Sequence, residues 1–156
     1  MTTDSDNQSE LAFLNVKFGL WTLLVFLTLG LVLEGLHGFK VAWYLEFETR
    51  RLMWSLAHAH GVLLAVLVIG NGIMLAVWPQ SPAPWHRVAS ACLMASAILL
   101  PGGFLLGGAF VHGGDPGIGV LLSPVGGTLL FLGVGLTASK LKAPTTTNDS
   151  GEGQSR

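Results

Sequence analysis

Four long stretches of this 156-residue chain carry almost no charged side chains, and they limit the folds that the chain can adopt. The stretches lie at about 18–38, 53–78, 88–110 and 117–139. Each is long enough for a helix that crosses the hydrocarbon core of a bilayer, which needs roughly 20 apolar residues. Only 11% of the residues are charged, whereas about one quarter are charged in a soluble domain. The sequence therefore predicts an all-α, polytopic membrane protein built as a four-helix transmembrane bundle.

The two ends of the chain differ from these stretches in composition. Residues 1–17 and 140–156 are polar and lack apolar periodicity, so burial cannot offset the entropy lost on ordering them. We expect both to be disordered, on either side of a membrane domain over 18–139. The first apolar stretch follows an acidic segment rather than the basic one of a secretory signal. It is therefore predicted to remain as a membrane span.

Basic residues predict the orientation of the bundle. Lys17, Arg87, Lys140 and Lys142 lie on the side of the two termini, and Lys40, Arg50 and Arg51 lie on the opposite side. Cytoplasmic segments carry an excess of Lys and Arg, so both termini are predicted to be cytoplasmic in a cell (plasma or inner) membrane. No cluster of basic residues suggests nucleic acid as a partner. The expected surroundings are the lipid bilayer and, if the bundle associates further, a second copy or a membrane partner subunit.

Titratable residues from three chain segments are predicted to meet at the outer end of the bundle. Glu34 and His37 are three residues apart, so they share a helix face and could pair or ligate one metal ion. A carboxylate near the bilayer needs a partner, although Glu34 could also reach the interface or pair with a nearby basic residue. The full candidate cluster consists of Glu34, His37, His58, His60, His112 and Asp115.

The segment "AHAH" raises the question of which histidine faces the interior. Two residues along a helix rotate by about 200°, so His58 and His60 point to nearly opposite faces, and at most one is expected to face the core. We favour His60. Together with His37 it could ligate a haem or a metal ion from facing helices. Alternatively, both imidazoles could form hydrogen bonds that hold helices together.

Two prolines that can break a helix, Pro101 and Pro124, occur at similar depths in the third and fourth stretches. Paired helix breaks can mark a binding site in transporters, but kinked spans are also common in membrane proteins. Small residues at four-residue spacing in the same two stretches predict close contact between these helices. The candidate positions for freed backbone groups are Pro101, Gly102, Gly103, Ser123 and Pro124.

Several short motifs resemble a family of small four-helix membrane proteins of unknown function. They are "LHGFK" after the first stretch, "AHAHGVLLAV" opening the second and "SPVGG" opening the fourth. The resemblance covers about 18–139 and implies the same four-helix fold, with no activity attached. On this resemblance the family positions are His37, His58 or His60, Pro124, Gly126 and Gly127. The chain departs from the pattern at Glu34 and at Pro101–Gly103.

Three functions remain open at this point. The favoured one is a non-catalytic four-helix membrane module or accessory subunit. The second is a small transporter or proton-linked protein that uses Glu34, His37 and His60. The third is an electron-transfer protein that binds haem or a metal through His37 and His60. Catalytic residues are not predicted, because no nucleophile with an adjacent base can be named.

Overall fold

The structure is a computed structural model that describes residues 2–78 and 83–141, with side chains from residue 7 onward. Four of its helices are long and apolar enough to cross a membrane, which confirms the prediction of an all-α, four-helix membrane bundle. In chain order the elements are α1 (Thr2–Gly38), α2 (Ala42–Leu45), α3 (Glu48–Val77), α4 (Pro84–Ala109), a 3-10 turn (Ile118–Leu121) and α5 (Leu122–Lys140). The predicted C-terminal tail lies outside the described residues from 142 onward.

The spans end within one residue of the predicted positions, but three of them begin earlier than predicted. Helix α3 begins at Glu48 and α4 at Pro84, because charged and aromatic residues extend these helices beyond their apolar stretches. Pro84 suits the first turn, where its missing N–H would have no intrahelical partner. The two ends of the bundle are named by these helix termini. The terminal end holds Asn7, Val77, Pro84 and Lys140, and the loop end holds Gly38, Glu48, Ala109 and Ile118.

Helix α1 shows the largest difference from the prediction. It begins at Thr2 rather than near residue 18, so the segment expected to be disordered is helical. Two side chains in this segment, Ala12 and Asn15, are buried. Gln8 donates a hydrogen bond to the carbonyl of Leu75 on α3, with Nε2 and O 3.1 Å apart. Packing of this segment against the end of α3 compensates for its polar composition.

The hydrophobic core lies between α3 and α4. It is formed by Leu64, Val68, Leu93, Ala97 and Leu100. Helix α1 packs against α3 and helix α5 against α4, so the four spans follow the spatial order α1, α3, α4, α5. The outer helices are the less buried ones: 17% of the most apolar window of α1 and of α5 is buried, compared with 44% for α4. In a bilayer, α1 and α5 therefore present most of their surface to lipid or to a partner.

Helices α4 and α5 approach each other at backbone distance, as the small residues predict. A Cβ atom added at Gly126 would lie 2.4 Å from the Leu100 nitrogen, and one added at Gly103 would lie 2.4 Å from Ser123 Oγ. The close contact involves Gly126 rather than Gly127, where an added Cβ would meet no atom of another segment within 4 Å. Only a residue without a side chain fits where two helix backbones come this close.

Two tight turns close the loop end. Helix α1 ends in a Schellman motif, in which Val41 N–H donates to the Leu36 carbonyl and Lys40, with φ 52°, takes the position where glycine is common. Between α4 and the 3-10 turn, His112 and Asp115 exchange two backbone hydrogen bonds of 3.0 and 3.1 Å. Gly113 and Gly114 between them have φ of 61° and 93°, a conformation that glycine adopts without strain.

Candidate functional site

Near the terminal end, three polar side chains from three helices form a buried cluster. This polar node consists of Asn15 on α1, Asn71 on α3 and Ser90 on α4, all of them buried. Asn71 Nδ2 donates to Asn15 Oδ1 at 3.0 Å and to Ser90 Oγ at 3.1 Å. Asn15 Nδ2 donates to Ser90 Oγ at 3.1 Å and to the Leu11 carbonyl at 2.8 Å. The polar node therefore links three spans through side chains alone.

A close approach of α1 and α3 allows the polar node to form. A Cβ atom added at Gly72 would lie 2.8 Å from the Ala12 carbonyl oxygen and 3.0 Å from the Asn15 Cβ. A larger residue at position 72 would therefore push α1 away from α3 and lengthen the bond between Asn15 and Asn71. Hydrogen bonds between side chains hold transmembrane helices together because lipid offers polar groups no other partner.

At the loop end, Arg50 is buried without a carboxylate partner among the described residues. Its Nε donates to the Gly108 carbonyl at 3.2 Å, and its Nη1 donates to the Trp43 carbonyl. The guanidinium also lies over the Trp43 ring, 4.0 Å from the centroid. Gly108 is in the last turn of α4, where unpaired carbonyls give the helix end a partial negative charge. Arg50 therefore ties α2 and α3 to the end of α4.

His58 and His60 lie on opposite sides of α3, as their spacing predicts. His58 faces α1: its Nδ1 is 2.8 Å from the Phe26 carbonyl oxygen. Its ring lies over Gly30, where an added Cβ would be 2.5 Å from His58 Cε1. Both side chains are half-buried and face different neighbouring helices, and neither belongs to the hydrophobic core.

His60 faces the opposite groove, between α3 and the start of α5. Its ring centroid is 5.2 Å from that of Phe104 on α4, and its Nδ1 is 2.9 Å from the Leu56 carbonyl of its own helix. The groove has a volume of about 430 Å³ and is lined by apolar side chains apart from His60 and Ser123. It exists because α5 packs on α4 and not on α3. We call it the His60 groove.

Both imidazoles have their tautomer set by the backbone. A carbonyl oxygen only accepts hydrogen bonds, so Nδ1 must be the donor in each ring. In the neutral form, Nε2 then has no proton and can accept a hydrogen bond or ligate a metal. For His60, no described residue donates to this nitrogen.

The remaining members of the predicted titratable cluster lie apart from His60. Glu34 and His37 have exposed side chains on α1, and neither side chain forms an ion pair or hydrogen bond with another described residue. His112 and Asp115 are exposed in the turn between α4 and the 3-10 turn, where His112 Nδ1 is 3.1 Å from the Phe110 carbonyl. The histidine that reaches α1 is His58 rather than His60, so the arrangement does not place His37 and His60 as a facing pair.

The predicted helix-break residues have different surroundings. Pro101 is fully buried inside α4, and a Cβ added at Gly102 beside it would meet no atom of another segment within 4 Å. Ser123 Oγ donates to the Leu100 carbonyl at 3.1 Å, across the contact of α4 with α5. Pro124 is in the first turn of α5, where a missing N–H leaves no hydrogen bond broken. Pro124 therefore lies just after the change from the 3-10 turn to α5.

Sequence reasoning missed the residues that hold the helices together. Asn15 falls in the segment expected to be disordered, and Ser90 is one of two serines in a small-residue stretch. Arg50 entered the prediction only as a basic residue in a loop. No sequence pattern identifies Gly30, on which the His58 ring packs, because its role depends on the register of α1 against α3.

Comparisons with known proteins add no further constraint on the site. Among the described residues, no group of three or more His, Cys, Asp and Glu side chains is placed to hold a metal ion. No family model, no curated protein and no solved structure matches this chain. The resemblance to small four-helix membrane proteins therefore stays a prediction.

Proposed function

We propose that this integral membrane protein is a non-catalytic four-helix module, whose buried polar side chains hold its spans in one arrangement. The observation that carries the proposal is the polar node, in which Asn15, Asn71 and Ser90 bond to one another across three helices. Bonds of this kind contribute roughly 0.6 kcal/mol each in membrane proteins, and up to about 2 kcal/mol. Together with the Arg50 contacts they support a structural use of the buried polar groups.

The outer surfaces of the bundle support a role as an accessory subunit or a self-associating module. Helix α1 exposes large apolar side chains along much of its length, and so does α5. Examples are Trp21, Leu31, Phe131 and Leu132, which are all exposed. Such faces pack against lipid or against other spans, and sedimentation or native mass measurements in nanodiscs would distinguish a monomer from a complex.

Flux measurements on proteoliposomes distinguish a structural module from a proton-linked transporter. The module predicts that an imposed pH gradient decays at the same rate in vesicles with and without the protein. It also predicts that Glu34→Gln, His37→Ala and His60→Ala change nothing. A protein-dependent proton flux that disappears in Glu34→Gln or in His60→Ala would overturn the proposal of a structural module and establish proton transport.

A spectrum of the purified protein tests the electron-transfer alternative. His58 rather than His60 is the histidine that contacts α1, so we expect no reduced-minus-oxidised band that depends on both His37 and His60. A haem band lost in His37→Ala and in His60→Ala would contradict the proposal.

The basic residues support a location in a cell membrane with both termini in the cytoplasm. Arg50 is buried and bonded to backbone carbonyls, which leaves Lys40, which is exposed, and Arg51, which is half-buried, as the other basic residues of the loop end. The terminal end has Lys17, Arg87 and Lys140, and Lys142 follows in sequence. Labelling of single cysteines at positions 40 and 140 by a membrane-impermeant reagent on intact cells tests this topology. Labelling at position 40 alone is expected, and labelling at position 140 alone would reverse it.

A further inference from the structure

We infer that the His60 groove binds the headgroup of a lipid-soluble quinol, a planar uncharged ring that carries hydroxyl groups on an apolar tail. The inference goes beyond the role of a structural module and does not depend on it. It rests on three features: the depth of His60 in the membrane domain, the hydrogen-bonding state of its ring and the apolar lining of the groove.

The depth of the groove selects for an uncharged ligand. His60 is six residues further along α3 than Trp54, which places it about 9 Å deeper from the loop end. Trp54 itself lies among the aromatic side chains of that end, 5.5 Å from Trp43 and 6.0 Å from Tyr44. Aromatic belts of this kind mark the membrane interface. A phosphate or ammonium headgroup drawn to the level of His60 would lose its hydration without a charged partner.

The ring of His60 selects for a hydrogen-bond donor. Its Nδ1–H is used by the Leu56 carbonyl, so Nε2 of the neutral imidazole can only accept. The second polar side chain of the groove, Ser123, donates its own proton to the Leu100 carbonyl. A ligand hydroxyl satisfies Nε2, whereas a ligand that carries only carbonyl or ether oxygens cannot.

The remaining surface is apolar and suits a ring that can stack on Phe104. Phe104 lies against the His60 ring at a tilt of 46°, and Leu100, Val120 and Pro124 complete an apolar wall. The volume of about 430 Å³ is within the range of small-molecule sites, which runs from roughly 300 to 1,000 Å³. The groove is a shallow, largely open depression rather than an enclosed cavity, so an apolar tail can extend from it.

His58 provides an internal control. It has the same bond from Nδ1 to a carbonyl and lies two residues away on the same helix. However, its ring is packed over Gly30 in the contact between α1 and α3. A ligand in the His60 groove should therefore affect the nitrogen resonances of His60 and leave those of His58 unchanged.

The test is ¹⁵N NMR of histidine-labelled protein in nanodiscs, titrated with decylubiquinol under anaerobic conditions. We expect a saturable shift of the His60 Nε2 resonance, with no shift at His58. Decylubiquinone has the same ring and tail but no hydroxyl, and it should bind about threefold to tenfold more weakly, the ratio expected for one net hydrogen bond.

Two variants and one prior measurement make the inference falsifiable. His60→Phe keeps an aromatic ring against Phe104 but removes the acceptor, so it should lose the preference for quinol over quinone. His58→Phe would disturb the contact over Gly30, so Thr28→Ala, at an exposed site on α1, serves as the control that retains the preference. The inference is overturned by an Nε2–H tautomer of His60 in the free protein, by equal affinities for quinol and quinone, or by binding that does not saturate.

Discussion

The polar node and the His60 groove lie at different depths of the membrane domain, and their polar atoms are satisfied in different ways. In the polar node, Asn15, Asn71 and Ser90 bond to one another across three helices. In the groove, His60 bonds only to a carbonyl of its own helix, and the space beside it is open. The same class of side chain thus fastens helices at one depth and remains available to a ligand at the other.

The cause of this difference is the order of the helices. Helix α1 reaches α3 and α4 near the terminal end, where Gly72 lets the backbones approach. Helix α5 packs on α4 alone, so its first turns leave a gap in front of α3. Three helices that meet can share a buried polar cluster, whereas two helices separated by a third leave a groove.

The largest expected effect concerns the α4 and α5 contact beside the groove. Gly126→Val would place side-chain atoms against the Leu100 backbone, and overpacking of this kind costs about 1–3 kcal/mol, sometimes more. The matched control is Gly127→Val, because Gly127 has open space around it. Unfolding in mixed detergent and SDS micelles measures both. Equal losses for the two variants would contradict the close contact.

The next effect concerns the polar node. Asn15→Ala removes an acceptor from Asn71 and a donor to Ser90, and it should lower the free energy of unfolding by about 1–2 kcal/mol. Phe13→Ala, at an exposed site on the same helix, should change it far less. The same unfolding assay applies. An Asn15→Ala protein as stable as the parent would show that the polar node does not hold the helices together.

A smaller effect separates the two histidines. His58→Ala breaks a bond between helices and leaves a void over Gly30, so we expect a loss of about 1 kcal/mol. His60→Ala breaks a bond within one helix beside an open groove, and its loss should stay below about 0.5 kcal/mol. A larger loss for His60→Ala would show that the groove is closed in the membrane and would reverse the comparison.

The last effect has the opposite sign and provides a reference far from both regions. Lys40 has the left-handed backbone of a helix C-terminus, and Lys40→Gly should raise the free energy of unfolding by up to about 1 kcal/mol. Phe39→Gly is the control, since that residue lacks a positive φ and gains nothing from glycine. Destabilisation by Lys40→Gly would show that its side chain has a further role.

The number of spans and the positions where they end could be predicted from the sequence, because long apolar stretches have few alternatives in a bilayer. The start of α1 could not be predicted. The segment around Asn15 is polar in composition, and its order depends on contacts with Leu75 and Ser90, which are distant along the chain. The composition of a segment indicates whether it favours water or lipid. It does not indicate which other segment will pack against it.

The candidate site, like the fold, could be predicted only in part. The spacing of His58 and His60 predicted opposite faces, because helix geometry alone decides it. The structure does not bring the candidate residues Glu34, His37 and His60 together, and their grouping assumed that residues at one depth also share one side of the bundle. Depth follows from counting residues, whereas the side depends on the register and order of the helices.

The most direct test of the structural account is a double-mutant cycle between Asn15 and Asn71. Unfolding is measured in mixed micelles for Asn15→Ala, Asn71→Ala and the double variant. If the polar node fastens α1 to α3, the double variant loses less than the sum of the single variants, by about 0.6–1.7 kcal/mol. Additive losses, to within about 0.3 kcal/mol, would show that the two side chains do not interact and would contradict the account.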